Sequence, residues 1–390
     1  MKMSATDPVA LTQALIRCQS VTPAEGGALT LLQALLENVG FTCHRMTFSA
    51  PNTPDVENLY ARLGTDGPNL CFAGHTDVVP PGDEAAWTVP PFAGEIRDGI
   101  LYGRGAVDMK GAIGCFLAAA MRHLQGSGGK LGGSLSFLIT GDEEGPAING
   151  THKVLDWLKG RGETLDACLV GEPSSPTAVG DEIKIGRRGS LNGEVVVKGT
   201  QGHAAYPHIA DNPIPKLARI IDELAALKLD DGTEHFQPSH VAVTVISVPN
   251  TATNVIPGQA RALFNIRYND AHTRAQIEER VERCIAGAAE ETGAVFEVRF
   301  WGTGDVFLTE PGPLVHAVAQ AAREITGHEA RLTTTGGTSD ARFIKDHCPV
   351  VELGLVNATI HQVDERVPVE DLETLTKIYE RFIADYFAEA

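Results

Sequence analysis

GSLSFLITGDEEG, residues 133–145, is the stretch that indicates the fold most directly. Its first part, Gly133 to Thr140, is a nearly continuous apolar run, which is typical of a strand buried in a parallel sheet. Its second part places Glu143 and Glu144 directly after that strand. Two adjacent carboxylates repel each other unless a cation or a proton separates them. The stretch therefore predicts a parallel sheet that carries an acidic site at the end of one strand.

Helical and strand patterns alternate around this stretch. Apolar residues recur at helical spacing from Leu11 to Gly40, and again from Asp108 to Leu124. The other elements of this pattern are strands at 58–63, 69–72, 166–170 and 349–355, and helices at 150–159, 313–326 and from Val369 onward. The alternation predicts an α/β domain with a mostly parallel central sheet.

The pattern changes near Asp181, where alternating polar and apolar residues begin. The order of predicted elements is strand, helix, strand, strand, helix and strand, at 185–199, 213–229, 240–248, 260–268, 273–293 and 295–300. This order is typical of an α+β domain of the split β-α-β, ferredoxin-like type. We therefore predict an α/β metal-binding domain, residues 1–181 and 300–390, interrupted by an inserted domain at 182–299.

The composition excludes several classes of function. The chain has 390 residues, 43% of them hydrophobic and 21% charged, which is typical of a globular protein with two domains. The formal net charge of -18 argues against a nucleic-acid partner. No apolar run approaches the length of a membrane span. Residues 1–20 have the pattern of an amphipathic helix rather than of a signal peptide, which predicts a cytoplasmic location. The seven cysteines are dispersed without Cys-x-x-Cys spacing, which argues against disulfides and a thiolate zinc site.

Histidines and acidic residues lie at the ends of apolar runs or in the turns that follow them. These positions are His75, Asp77, Asp108, Glu143, Glu144, Glu172 and His361. Each has an ordinary alternative: Asp108 could be a helix N-cap, and the glutamate pair an exposed turn. Together they supply the imidazoles and carboxylates that two divalent cations need, including one carboxylate that can bridge. Residues two apart on an extended chain face the same side, so Asp77 can accept the second N–H of the His75 imidazole.

Three stretches resemble the dinuclear zinc amidohydrolases, a family that includes aminoacylases, glutamate carboxypeptidases and acetylornithine deacetylases. They are FAGHTDVVP (72–80), LYGRGAVDMKG (101–111) and GDEEG (141–145). The resemblance implies that His75 and Glu172 hold one zinc ion, that Glu144 and His361 hold the other, and that Asp108 bridges them. Cobalt or manganese could substitute for zinc. It also implies that Asp77 orients His75, that Glu143 is the general base, and that a cis peptide bond follows Asp108.

Further stretches with the same resemblance lie at 186–190, 202–208, 254–257, 264–268, 336–343 and 357–361. They imply a small-molecule amide substrate with several carboxylates, for which Arg187, Arg188 and Arg267 are candidate ligands. Neighbours on a strand face opposite sides, so one of Arg187 and Arg188 could simply face solvent. Other residues that the resemblance implies for the substrate site are Tyr206, Asn254, Gly337, Thr338 and Asn357.

The resemblance also implies that the inserted domain is a dimerisation and lid domain. His203 would reach the scissile carbonyl from the partner subunit of a homodimer. Without the resemblance, His203 could be a strand-end histidine with a local partner. Thr253 stands where related enzymes can have an asparagine, which leaves the contacts there open. Two alternatives remain: an amidohydrolase of the same family with another substrate, and a non-catalytic binding protein that has kept the fold.

Overall fold

A computed structural model describes residues 4–388 of the chain. The predicted N-terminal helix is observed from Pro8 onward, and the first three residues of its predicted range lie outside the described residues. The helices are α1 Pro8–Arg17, α2 Ala28–Glu37, α3 Lys110–Gly126, α4 Thr151–Lys159, α5 Pro213–Ala226, α6 Arg274–Thr292, α7 Pro313–Thr326, α8 Ala341–Ile344 and α9 Val369–Ala388. Short 3-10 turns lie at Glu84–Ala86 and Pro207–Ile209.

The strands are short in the first part of the chain and longest in the inserted part. They are β1 Thr42–Phe48, β2 Val56–Leu63, β3 Asn69–His75, β4 Glu95–Arg97, β5 Ile100–Tyr102, β6 Ser134–Thr140, β7 Ala167–Val170, β8 Glu182–Lys184, β9 Gly186–Arg187, β10 Gly189–Lys198, β11 Gly202–His203, β12 His240–Ser247, β13 Val255–Ile256, β14 Gln259–Tyr268, β15 Val295–Gly304, β16 Phe307–Leu308, β17 Arg331–Thr333, β18 Val350–Glu352 and β19 Arg366–Pro368.

The first compact unit contains an eight-stranded sheet in the order β1-β2-β6-β3-β7-β18-β8-β17. Its centre, β6-β3-β7-β18, is parallel, and β3, β6, β7 and β18 are buried along their whole length. The predicted α/β fold with a largely parallel central sheet is confirmed. Strands β1 and β2 add an antiparallel hairpin at one edge, so the sheet as a whole is mixed. Helix α3 packs against α1 and α9.

The second compact unit contains a four-stranded antiparallel sheet in the order β12-β14-β10-β15. Helices α5 and α6 contact each other and pack on this sheet, where Leu191, Phe264, Ile220 and Val281 form part of a buried core. Alternate residues of β14 are buried, as expected for a sheet that is covered on one face. The element order and the strand order confirm the predicted ferredoxin-like type of domain.

The bounds of the compact units differ from the predicted domain limits by a few residues. The first unit comprises Met1–Ile185, Thr309–Thr333 and Ser339–Ala390, and the second comprises Gly186–Leu308 and Thr334–Thr338. Strand β8 pairs with β17 in the large sheet, and β15 continues past residue 300 in the small one. The limits 182 and 299 were drawn where the hydrophobic pattern changes, whereas strand pairing decides where each unit ends.

Two further features of the structure are the length of its apolar helices and the state of its cysteines. No helix within residues 4–388 is long and apolar enough to cross a membrane. All seven cysteines are free thiols, and Cys71, Cys115, Cys168 and Cys348 are buried.

Candidate metal centre

The predicted ligands of the first unit are positioned by neighbouring strands of the large sheet. His75 ends β3, the glutamates 143 and 144 follow β6, and Glu172 follows β7. Because β6, β3 and β7 are parallel neighbours, their carboxyl ends lie at one edge of the sheet. Asp108 lies two residues before α3, across a cis peptide bond to Met109 that agrees with the resemblance.

Asp108 contacts both histidines, one with each carboxylate oxygen. Its Oδ1 lies 3.1 Å from His75 Nε2, and its Oδ2 lies 3.1 Å from His361 Nε2. A glutamate lies near the same nitrogen of each imidazole. His75 Nε2 lies 3.6 Å from Glu172 Oε1, and His361 Nε2 lies 2.9 Å from Glu144 Oε1. The arrangement is two half-sites that share one aspartate.

The possible ligand atoms are close enough to hold metal ions. In two sets of residues, all ligand atoms lie within 4.8 Å of one another: His75 with Asp108 and Glu144, and His75 with Glu143 and Glu172. Imidazole and carboxylate without cysteine is the donor set of catalytic rather than structural zinc sites. The cluster therefore fits a metal cofactor by its chemistry as well as by its spacing.

The electrostatics of the cluster point the same way. Burial, followed by the charges of Asp108 and Glu143, raises the pKa of Glu172 well above its ordinary value. Hydrogen bonds to Asp108 and Glu144 raise the pKa of His361 to about 10. The raised pKa values of Glu172 and His361 mean that both groups bind a proton more strongly than usual. A divalent cation would displace such protons, because metal ligands bind in their deprotonated form.

Asp77 contacts both His75 and the glutamate turn. Its backbone carbonyl lies 2.9 Å from His75 Nδ1, whereas its carboxylate Oδ1 lies 3.6 Å from that nitrogen. The carboxylate instead accepts the backbone N–H groups of Glu143 and Glu144, at 3.3 and 3.0 Å. The prediction that the Asp77 carboxylate accepts the second imidazole N–H of His75 is therefore corrected, because the Asp77 carbonyl is the oxygen within hydrogen-bond distance. The role of Asp77 as an orienting residue stays a prediction.

Glu143 lies beside the predicted ligands, and in the described part of the chain its carboxylate has no ion pair within 4.0 Å. Its carboxylate belongs to the set with His75 and Glu172. Burial raises the pKa of Glu143 to about 8, and the charge of His75 opposes that shift. A cation bound beside it would favour its ionised form. A carboxyl group whose proton affinity depends on its neighbours in this way is a good candidate for a general base.

Three supporting residues were missed from the sequence. The Asp142 carboxylate accepts the backbone N–H groups of residues 147, 148 and 149, at 3.2, 2.9 and 2.7 Å, and thereby holds the loop after the glutamate pair. Arg104 and Glu365 form a buried ion pair at 2.7 Å. Asp142 and Arg104 lie in stretches that carry the resemblance, and Glu365 lies four residues after one. Acidic and basic residues in loops are usually solvated, and no spacing marks these as buried.

The predicted arginines lie together in the second unit. The pKa of Arg267 is lowered by burial and then by the charges of Arg188 and Arg187. Arg187 Nη1 donates to the Thr335 carbonyl at 2.9 Å, and a Cβ at Gly336, whose φ is +105°, would lie 2.4 Å from that nitrogen. Arg188 Nε and Arg267 Nη1 are buried and have no hydrogen-bond partner within residues 4–388. Clustered guanidinium groups with free donors are suited to an anionic ligand.

The other predicted residues of the second unit form a group around β11 and β13. His203 pairs with Val255, its Nδ1 accepts the Ala205 N–H at 3.0 Å, and its ring lies 5.7 Å from that of Tyr206. The Ala204 N–H donates to the Asn254 carbonyl at 2.9 Å. His203 thus has local partners, and its imidazole is also exposed. The roles predicted for these residues stay predictions.

The remaining residues belong to two different loops. Gly337 and Thr338 lie with Gly336 in the segment Thr334–Thr338 of the second unit, near the contact that holds Arg187. Asn357 lies in the first unit, and its backbone N–H donates to the Ser175 carbonyl at 2.9 Å. Their predicted role in substrate binding also stays a prediction.

Known proteins resemble this chain over almost its whole length. The profile of peptidase family M20/M25/M40 matches residues 71–385. A succinyl-diaminopimelate desuccinylase of Rhodospirillum centenum is 58% identical over 386 residues, which are 99% of this chain and 99% of the relative.

Two solved structures have the same fold. An M20 family metallo-carboxypeptidase of Sulfolobus solfataricus has a TM-score of 0.79 at 18% identity, covering 98% of this chain and 99% of that one. A Bacillus subtilis protein described as a dinuclear metal binding peptidase of family M20 has a TM-score of 0.73 at 19% identity, covering 99% of both chains.

Proposed function

Since the chain belongs to peptidase family M20/M25/M40, we propose that it is a metal-dependent amide hydrolase that acts on N-succinyl-LL-2,6-diaminopimelate. The products are succinate and LL-2,6-diaminopimelate, which is a precursor of lysine and of the cell wall. The observation that carries the proposal is the 58% identity to a succinyl-diaminopimelate desuccinylase over 99% of both chains. The stretches with Arg187, His203, Asn254, Thr338 and Asn357 resemble the same enzymes.

We propose that the centre holds two zinc ions, for which cobalt or manganese can substitute. His75 and Glu172 would bind one ion, Glu144 and His361 the other, and Asp108 both. The support is the geometry of Asp108, whose two oxygens face different imidazoles at 3.1 Å each. Bound zinc ions would lower the pKa of a water molecule and polarise the amide carbonyl.

In the proposed reaction, Glu143 moves the proton. Its carboxylate takes a proton from the water that attacks the amide carbonyl, and then delivers that proton to the leaving amine nitrogen. Asp77 holds the turn that carries Glu143, because it binds the backbone N–H groups at 143 and 144. The exposed imidazole of His203 would donate a hydrogen bond to the tetrahedral oxygen from the partner subunit.

We propose that the protein is a homodimer. One reason is the proposed role of His203 from the partner subunit, and the other is that the small sheet has an open edge. Strand β12 ends the sheet, with Val245 and Ile246 41% and 63% exposed. An apolar edge strand of this kind is a ready surface for pairing with another strand, and we propose that a second copy of the chain covers it. A monomer in sedimentation velocity at working concentration would contradict this.

The cytoplasmic location stays a prediction.

The substrate carries several carboxylates, and the protein has a formal net charge of -18. Its long-range field therefore opposes binding, so that local positive charge has to provide recognition. We propose that the guanidinium groups of Arg188 and Arg267 bind substrate carboxylates, because they lie together and each has a nitrogen without a hydrogen-bond partner among residues 4–388. Arg187 donates to the Thr335 carbonyl and would add positive charge beside these two guanidinium groups.

Replacing Arg188 by Gln is expected to raise KM by about 10- to 100-fold, because a hydrogen bond between charged groups contributes about 1.5–3 kcal/mol. The change in kcat should be smaller, since Arg188 acts on the substrate carboxylate and not on the scissile amide. Arg299→Gln is the matched control, because Arg299 is an arginine of the same unit, on β15, and pairs with Glu194 instead. Steady-state kinetics of both variants measure the effect, and equal KM values would exclude the assignment.

The experiment that tests the function is a comparison of substrates with the purified, metal-loaded enzyme. Succinate release from N-succinyl-diaminopimelate and acetate release from N-acetylornithine are measured side by side. We expect kcat/KM to be at least about 100-fold higher for the succinyl substrate, because an unfilled carboxylate site leaves buried guanidinium groups unpaired. A preference for acetylornithine would indicate the sister activity, and no turnover of either would favour a non-catalytic binding protein.

A further inference from the structure

The carboxylate of Glu365 is fully buried, and both of its oxygens are saturated with donors. Glu365 is 0% exposed. Its Oε1 accepts the backbone N–H groups of Val107 and Asp108, at 2.8 and 3.1 Å. Its Oε2 accepts the Gly105 N–H at 3.0 Å and Nη1 of Arg104 at 2.7 Å. One side chain therefore fixes the backbone of the whole turn that ends at Asp108.

Arg104 extends this contact to a second loop. Its side chain is 2% exposed, and Nη2 donates to the carbonyls of Pro80 and His361, both at 3.4 Å. The indole of Trp87 lies 5.3 Å from the guanidinium carbon. In addition, the Gly103 N–H donates to the Glu365 carbonyl at 2.9 Å. The turn before α3 and the loop after β18 are thus joined by a single buried ion pair.

The loop after β18 needs such a contact because its backbone is strained. His361 and Asp364 have φ values of 59° and 58°, a region that residues other than glycine rarely adopt. Residues in such conformations persist only where the surrounding structure holds them. A buried ion pair contributes little to stability by itself, since desolvation offsets its Coulomb attraction. Its presence here is better explained by the conformation that it imposes on the two loops.

We propose that the pair formed by Arg104 and Glu365, which we call the clamp, positions Asp108 and His361 for metal binding. The proposal rests on the two-metal function stated above. The second ion is the one that Asp108, Glu144 and His361 would hold. The clamp contacts the loops that carry two of these ligands, Asp108 and His361. The other ion shares Asp108, but its remaining ligands, His75 and Glu172, lie at the end of β3 and after β7, where the sheet holds them. The clamp is therefore a device that acts mainly on the second ion.

The test is the zinc affinity of Glu365→Gln, measured by competition with a chromophoric chelator. An amide has one acceptor atom where the carboxylate has two, so two donors lose their partner. We expect the second zinc ion to bind about 10- to 100-fold more weakly, which is the usual effect of removing a partner behind a metal ligand. The ion at His75 and Glu172 has only Asp108 in common with the clamp, so its affinity should change less. The kcat at subsaturating zinc should fall and recover as zinc is added.

Glu182→Gln is the matched control. Glu182 is also buried, and within the described residues its carboxylate contacts Lys184, Arg331 and Thr333 and no loop that carries a proposed metal ligand. Thermal unfolding of both metal-free variants gives their loss of stability. A clamp that acts on the metal site predicts weaker zinc binding in Glu365→Gln alone. Equal zinc affinities in the two variants and the unaltered protein would overturn the proposal.

Arg104→Lys provides a milder second variant. A lysine keeps the charge opposite Glu365 but has no second nitrogen for the His361 carbonyl. We expect a smaller loss of affinity for the second ion, and no loss would overturn the link to His361. The unaltered protein separates the two hypotheses. If it bound no second zinc ion, the two-metal function would be wrong, whereas two tightly bound ions in all variants would exclude the clamp alone.

Discussion

Replacing Glu143 by Gln is expected to reduce kcat by about 10²- to 10⁴-fold, which is the usual contribution of a general base. The amide keeps the size and hydrogen-bonding shape of the side chain but cannot accept a proton. Glu143 is assigned to no metal ion in the proposed centre, so both zinc ions should stay bound. Metal analysis and steady-state kinetics on the same sample measure the two effects. If kcat stayed near the original value, Glu143 would not be the base.

Glu144→Gln is the control for this experiment, because the same change is made one residue along the chain. Glu144 lies 2.9 Å from His361 Nε2 and would bind the second ion. This variant should lose the second ion and recover part of its activity at high zinc concentration, whereas Glu143→Gln should not recover. If both variants kept their ions and behaved alike, the division of roles between the two glutamates would be wrong.

Removing the metal ions with a chelator is expected to stop succinate release completely. Without cations, no group in the centre can activate water or polarise the amide carbonyl to the same degree. Turnover should return when zinc is added, and also with cobalt or manganese. The coupled assay of succinate release before chelation, after chelation and after readdition measures this directly.

Chelation should also lower the melting temperature, because ions that bind only the folded protein stabilise it. Their loss leaves several carboxylates close together, including Asp108 and Glu172 beside His75. The proposal would be contradicted if a protein with less than about one metal ion per hundred molecules still released succinate at the original rate. Magnesium is a suitable control for readdition, because it prefers oxygen ligands in octahedral geometry to imidazole.

Much of the fold could be predicted because its strands have clear hydrophobic patterns. The run Gly133 to Thr140 predicts a buried parallel strand, and it is observed as β6 beside β3. The change of pattern near Asp181 predicts an inserted α+β unit, and the split β-α-β order is observed. The exact limits of that unit could not be predicted. Whether Glu182–Lys184 joins one sheet or the other depends on pairing with β17, about 150 residues away in the chain.

The candidate site could be predicted in part for a similar reason. Ligands at the ends of parallel strands meet because the strands do, so His75, Glu144 and Glu172 converge in the structure. The acceptor for His75 Nδ1 was predicted to be the Asp77 carboxylate. The structure has the Asp77 carbonyl closer, since the carboxylate binds the N–H groups after β6. Residues two apart define the side that Asp77 faces, but not which of its oxygens is nearest.

The sequence by itself determined the class of fold, the family and the residues that are candidate metal ligands, because hydrophobic period and short motifs are local properties of the chain. Only the tertiary structure decided what holds those ligands. Glu365 binds the turn at residues 104–108 from more than 250 positions away, and no pattern in the chain links the two. The backbone N–H groups of that turn and the Arg104 guanidinium surround the buried Glu365 carboxylate and bind it. This arrangement exists only after the strands and helices have packed, so the sequence by itself does not indicate it.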